Sequence, residues 1–222
     1  MNGGYSEYRV APEGFVYPIP DIFSAVEAAL LLCAGAVGYR SLRLSGICDG
    51  QVLGLTGFGA SGHLVLQTVR HRFPNTRVYV FARSQAEQDF AREMGAAWAG
   101  DTQDEPPEPL DGIIDTTPAR LPVVAVLRRL APGGRLVINA IRKEDRDQAA
   151  LLKLNYPDCL WMETEIKSVV NVTRRDVSEF LALAAEIPLR PEVQEYPLEG
   201  SNQALAELKS RRIRGAKVIR MG

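Results

Sequence analysis

Apolar positions in this chain fall in short blocks separated by polar, glycine-containing breaks. QVLGLTG (51–57), RVYVFAR (77–83), DGIIDTT (111–117) and RLVINAI (135–141) each read as a strand bounded by turn residues. In three of them the core (52–56, 113–116 and 136–140) is near-continuously apolar rather than alternating. That pattern belongs to a sheet covered on both faces. Helical stretches lie between the blocks: about Ala60 to Arg72, one opened by the S-x-x-E capping box of Ser84 and Glu87 and ended by Gly95, and about Leu121 to Leu130. APGG (131–134) turns the chain into the fourth strand. Strand and helix alternating at this spacing predict parallel βαβ units and a doubly wound α/β sheet.

The flanks have a different texture. Residues 3–17 look like strand material broken at Pro12–Gly14, and PIPD then makes a turn. Ser24 with Glu27 forms a capping box that opens one continuous apolar helix to about Leu44, ended by Gly46. After about Ile166 come a strand (KSVVNV), a helix (about 176–187), a strand (EVQEYPL), a helix (about 201–211) and a strand (GAKVIRM). This part either extends the sheet or packs as a separate lobe with residues 1–24.

Composition narrows the classes. The 222 residues are 46% hydrophobic, which suits a soluble globule. With 26 basic and 27 acidic residues the net charge is −1, so charge gives no reason to expect nucleic acid or an anionic membrane as partner. Arg211, Arg212 and Arg214 lack interleaved aromatics and read as a solvated helix end. The longest apolar stretch, about Ala28 to Val37, is too short to span a bilayer, and no signal peptide opens the chain. The three scattered cysteines suit a reducing cytoplasm.

The most specific motif is Gly57-Phe58-Gly59-Ala60-Ser61-Gly62, a G-x-G-x-x-G between a predicted strand and a predicted helix. In that context it is a dinucleotide fingerprint: Gly57 permits the tight turn, Gly59 lets the backbone approach a pyrophosphate at the helix N-terminus, and Gly62 lets helix and strand pack closely. A methyltransferase would carry an acid before the glycines and a GxGxG pattern, whereas Thr56 and Ser61 stand here. An NAD site usually places Asp or Glu ~20 residues further on, against the ribose 2′-hydroxyl. The corresponding place reads Phe81-Ala82-Arg83-Ser84. Arg83 can pair with a 2′-phosphate and Ser84 can donate to it, so NADP(H) is the expected cofactor. The carboxyl ends of the later strands, where ligands bind in such sheets, nominate Thr116, Thr117 and Pro118 near the adenosine half and Asn139, Ala140 and Ile141 near the nicotinamide. Asp115 reads as a turn-forming or capping carboxylate.

GGYSEYRVAPEGFVYPIPD, AALLLCAGAVGYRSLR, GFGASGHLVLQ, LRRLAPGGRLVINAI and RIRGAKVI together resemble the zinc-type alcohol dehydrogenases of the medium-chain dehydrogenase/reductase superfamily. The resemblance covers essentially the whole chain. It implies a Rossmann-type coenzyme domain over 35–167, flanked by segments of a mostly absent catalytic domain (1–34 and 168–222). It implies hydride transfer between NADP(H) and a small alcohol or aldehyde, with zinc as Lewis acid in the parent design. It places Asn171 near the nicotinamide carboxamide and Arg214 near the pyrophosphate. It also implies a homodimer through the last strand of the coenzyme domain, around Lys153–Ser168 with Trp161 and Met162. The alternative, from another class, is an NADP(H)-binding module without turnover.

By the same resemblance Cys33 of LLLCAG is the last ligand of the catalytic zinc. Its family partners precede the GGYSEY-like stretch, and this chain begins there. His63 and His71 are the only histidines, both on the helix after the glycine turn, and Cys48 and Cys159 supply no C-x-x-C. Cys33 is therefore expected to be an orphaned ligand, lodged here as a small buried residue, and zinc is expected to be absent. Val37 stands where the family often has a threonine that reaches the cofactor or the proton relay.

Overall fold

A computed structural model describes residues 6–187, 189–210 and 214–221. In chain order its regular elements are α1 (Ala25–Ala28), a π-helical turn (Leu31–Ala36), α2 (Val37–Ser45), β1 (Val52–Thr56), α3 (Ala60–Arg72), β2 (Arg77–Phe81), α4 (Gln85–Glu93), β3 (Trp98–Gly100), β4 (Leu110–Asp115), α5 (Leu121–Leu127), β5 (Leu130–Ile138), α6 (Tyr156–Cys159), β6 (Glu165–Ser168), α7 (Arg174–Glu186), β7 (Val193–Pro197), α8 (Ser201–Lys209) and β8 (Ala216–Arg220).

Six strands form one parallel sheet in the order β3-β2-β1-β4-β5-β6. The reversal between β1 and β4 is the topological switch point of a doubly wound, Rossmann-type fold. The central strands are sealed on both faces, as their apolar runs predict. On one side Leu53, Leu55, Val78, Val80 and Ile114 pack with α3 and α4. On the other Val52, Phe81, Ile113 and Leu136 pack with α5 and Cys159.

A third apolar cluster joins the two flanks. Phe23, Leu30, Leu31 and Ala34 from the start of the chain meet Val177, Phe180 and Leu181 of α7, with Tyr39 and Leu64 beneath them. The last strands, β7 and β8, pair with each other in a separate two-stranded parallel sheet. Of the segment after Ile166, β6 thus extends the main sheet, while β7 and β8 do not.

Several local expectations change. Residues 6–17 form no strand; their one regular piece is a 3-10 turn, Glu13–Phe15. Gly3, Gly4 and Tyr5 of the GGYSEY stretch, with Arg211 and Arg212, lie outside the described residues. β3 is an additional strand of three residues, and APGG belongs to β5, whose pairing with β4 shifts register at Leu110/Gly112. The expected long helix from Ser24 opens with its capping box but breaks after one turn and resumes as a π-helical turn. There the Gly35 amide donates to Leu30 O at 2.9 Å, five residues back. A side chain at Gly35 would sit 2.4 Å from the Phe180 ring, so α7 presses on the backbone where the turn widens.

Candidate functional site

The glycine turn joins β1 to α3 beside the switch point. Gly57 has φ +79°, a conformation that L side chains rarely adopt, and a Cβ there would lie 2.8 Å from Thr116 Oγ1. Its amide donates to Phe81 O at 2.8 Å, tying the turn to the end of β2. Phe58 is 1% exposed and meets Phe90 edge-on at 5.2 Å, so its side chain anchors the turn against α4. Gly59 opens α3 with no side-chain cap, leaving the first-turn amides at Ala60, Ser61 and Gly62 for an outside acceptor. A Cβ at Gly62 would stand 2.8 Å from Gly57 O: helix and turn touch backbone to backbone.

Behind the turn lies a buried ion pair. Asp115 ends β4, fully buried, and accepts from Thr56 Oγ1 (2.6 Å), Thr117 Oγ1 (2.8 Å) and the Thr117 amide (3.3 Å). The Lys143 ammonium pairs with the Asp115 carboxylate and donates to the carbonyls of Thr117 (2.7 Å) and Ala119 (2.9 Å). Lys143 thus pins the loop after β4 to the loop after β5. The turn-forming role expected of Asp115 is present, and its lysine partner is the addition.

The other nominated strand-end residues divide. Thr116 donates to Thr56 O at 2.9 Å, so both threonine hydroxyls are committed within the protein. Asn139 is buried, donates from Nδ2 to Ser41 Oγ at 2.7 Å, and binds Asp115 O through its amide. Ala140 is half-buried and Ile141 is 96% exposed. Asn171 lies in a turn with φ +52°, and its Oδ1 accepts from the Val172 amide.

At the end of β2 the Arg83 side chain is exposed with no partner among the described residues. The Ser84 hydroxyl caps α4, accepting from the Glu87 amide (3.2 Å) and giving its proton to Glu87 Oε2 (2.9 Å). The donor expected of Ser84 is therefore spent on the capping box, with a carboxylate one turn from Arg83. Arg214 is likewise engaged: it donates to Glu93 (2.9 Å) and Glu192 (3.1 Å) and lies 4.3 Å over the Phe90 ring.

Cys33 sits on the π-helical turn and is exposed, contrary to the buried position expected of it; the turn buries Leu31, Ala34, Gly35 and Ala36 instead. No group of three or more His, Cys, Asp or Glu that could hold a metal ion occurs among the described residues. A zinc site needs at least three protein ligands, and the described residues do not bring three together. His63, which sequence placed merely beside the turn, is wholly buried. Its Nδ1 is 3.0 Å from Gly59 O and its Nε2 accepts from the Glu192 amide at 3.1 Å. Burial holds the imidazole below its ordinary pKa.

No protein-family model matches the chain. The "Probable alcohol dehydrogenase AdhA" of Mycobacterium tuberculosis is 37% identical over 218 residues, 98% of this chain and 61% of its own length. An alcohol dehydrogenase of Geobacillus stearothermophilus is 28% identical over the whole chain and 65% of its own length. The chain thus spans less than two thirds of these curated relatives. Among solved structures, the alcohol dehydrogenase of Aeropyrum pernix superposes with a TM-score of 0.83 at 21% identity, over 99% of this chain and 65% of that one. Acetophenone reductase of Geotrichum candidum, in complex with NAD, gives 0.82 at 20% identity, over 98% and 62%. Helicobacter pylori CAD, complexed with NADP(H), gives 0.74 at 21% identity, over 87% and 54%. The homologues of this chain are alcohol dehydrogenases that align with all of it, and the fold is theirs.

Proposed function

We propose that this chain is the coenzyme-binding portion of an alcohol dehydrogenase, holding a nicotinamide dinucleotide, with preference for NADP(H), for hydride exchange with a small alcohol or aldehyde. The observation that carries the reading is the uncapped N-terminus of α3 behind the Gly57–Gly62 turn, at the switch point of a 3-2-1-4-5-6 sheet. In such sheets ligands bind outside the carboxyl ends of the strands, and free helix amides receive phosphate. The coenzyme supplies the hydride-transfer chemistry; the chain binds and orients it. The amides of Ala60, Ser61 and Gly62 would hold the pyrophosphate. The loops pinned by Asp115 and Lys143 would floor the ribose side, and exposed Ile141 offers an apolar surface to the nicotinamide end.

The NADP(H) preference rests on Arg83, exposed and without a partner among the described residues, where a ribose-binding acid is missing. Glu87, engaged with Ser84 in the capping box, is the carboxylate that opposes it. Calorimetric titration tests the balance. NADPH should bind more tightly than NADH, and Arg83→Asp should reverse the order, since a lost charged hydrogen bond of roughly 1.5–3 kcal/mol is about 10–150-fold in affinity. Equal affinities in the unaltered protein would remove the NADP(H) assignment.

The remaining parts of the reading concern assembly and turnover. β6 is an edge strand, exposed along its whole length, beside exposed Trp161, Met162 and Val170. Unpaired edges invite pairing, which supports a homodimer through β6. The three cysteines are free thiols, in keeping with a reducing cytoplasm. With Cys33 isolated from other ligands, this chain by itself is proposed to bind coenzyme without oxidising alcohols.

A further inference from the structure

We infer that His63 is a positioning residue that couples the coenzyme turn to the docking of the C-terminal segment. The inference rests on the reading of that turn as a dinucleotide site. A backbone carbonyl can only accept, so the contact to Gly59 O puts the imidazole proton on Nδ1 and leaves Nε2 as acceptor for the Glu192 amide. Both ring nitrogens of a wholly buried side chain are thereby used, one on each partner.

The effect on the turn follows from peptide planarity. Gly59 O is held by two donors, His63 Nδ1–H at 3.0 Å and the His63 amide at 3.2 Å. With that carbonyl fixed, the plane of the Gly59–Ala60 peptide is fixed, and so is the Ala60 N–H on its opposite side. That N–H is the first of the amides assigned to the pyrophosphate. At the far end, Glu192 O accepts from the Ala216 amide at 2.9 Å, the Glu192 carboxylate accepts from Arg214, and Gly215 bridges back to Gly59. The links close a ring: Gly59, His63, Glu192, Arg214–Gly215, Gly59. One helical turn on, Gln67 makes a two-way pair with Arg190, 2.9 Å in each direction. His63 and Gln67, four apart on α3, thus seat alternate residues of the segment leading into β7, but only His63 also holds the turn.

The test uses the full chain with NADPH as probe, reading the dissociation constant by fluorescence and amide exchange by NMR. In the unaltered protein NADPH should slow exchange of the Glu192 and Ala216 amides. The Asn side chain of His63→Asn is too short to hold Gly59 O and the Glu192 amide at once, so the turn loses its tie to the segment before β7. The substitution should weaken NADPH about fivefold or more, as expected for one net hydrogen bond, and abolish the ligand-induced protection. Gln67→Ala removes the neighbouring clamp alone and should lower the melting temperature while leaving NADPH affinity unchanged. A purely structural His63 would move stability without moving affinity. NADPH binding without protection at Glu192, or His63→Asn binding as the unaltered protein does, would overturn this inference alone. Equal affinity losses in both variants would overturn it too. If the unaltered chain bound neither NADPH nor NADH, the functional reading would fall and this inference with it.

Discussion

Replacing Asp176 by Asn should loosen the clasp between α2 and α7. The carboxylate is fully buried and accepts from Arg40 and Arg43, both at 2.5 Å, and from the Thr173 amide (2.9 Å) and hydroxyl (2.6 Å). Burial by itself raises its pKa. The Thr173 hydrogen bonds and the Arg40 guanidinium outweigh that and bring it from 3.8 to about 2. Just under two units at about 1.36 kcal/mol each is roughly 2–3 kcal/mol of stability at neutral pH. Breaking a fully buried pair costs about 3–5 kcal/mol, but the Arg40 and Arg43 side chains are 26% and 39% exposed and can rehydrate. The lower figure therefore governs. The folded-state pKa is depressed, so this stability is complete above about pH 4 and is lost as pH falls through about 2. Urea unfolding at pH 7 should give Asp176→Asn roughly 2–3 kcal/mol less stability, and a melting temperature lower by about 5–10 °C. Between pH 5 and 3 the variant should also have a flatter stability profile than the unaltered protein. A cost below about 0.5 kcal/mol, the range of ordinary surface changes, with an unchanged acid profile, would refute the reasoning.

Two further outcomes follow from the geometry. Gly62→Ala puts a methyl 2.8 Å from Gly57 O, a backbone atom that cannot swing aside; coenzyme affinity measured by calorimetry should fall at least about tenfold, and an affinity equal to that of the unaltered protein would show that the turn gives way. Light scattering should report a dimer at micromolar concentration, and Ile166→Lys on β6 should shift it to monomer through edge charge; a clean monomer before substitution would count against the β6 interface.

Much of this molecule is written in local pattern. The sealed strands at 52–56, 113–116 and 136–140 announce themselves as apolar runs, and the capping boxes at Ser24, Ser84 and the glycine turn are read from three to six residues. What sequence hides is decided across distance. β3 is three residues, WAG, with no period to detect. The break after α1 lies where Phe180 leaves no room for a side chain at Gly35, residues 145 positions apart, and Cys33 is exposed on the same turn. The Ser84 hydroxyl was legible as a cap and as a phosphate donor; one proton cannot serve both, and the structure gives it to Glu87. Lys143 over Asp115 and His63 under Glu192 had no motif to signal them.

The third apolar cluster carries a consequence for how the molecule is made. Phe23, Leu31 and Ala34 meet Tyr39 of α2 and Leu64 of α3 on one side and are covered on the other only when α7 arrives, and the hydrogen bond from Tyr39 to Glu179 closes a loop of 140 residues. The whole six-stranded sheet lies within that loop. Loop-closure entropy grows only with the logarithm of length, and a preformed sheet shortens the effective loop further. Synthesis runs N-terminal first, so Phe23, Leu31 and Ala34 are made early and keep their α7-facing side uncovered until the ribosome has passed residue 181. This is the interval in which a nascent chain would depend most on a chaperone, and slowed translation past β6 would lengthen it.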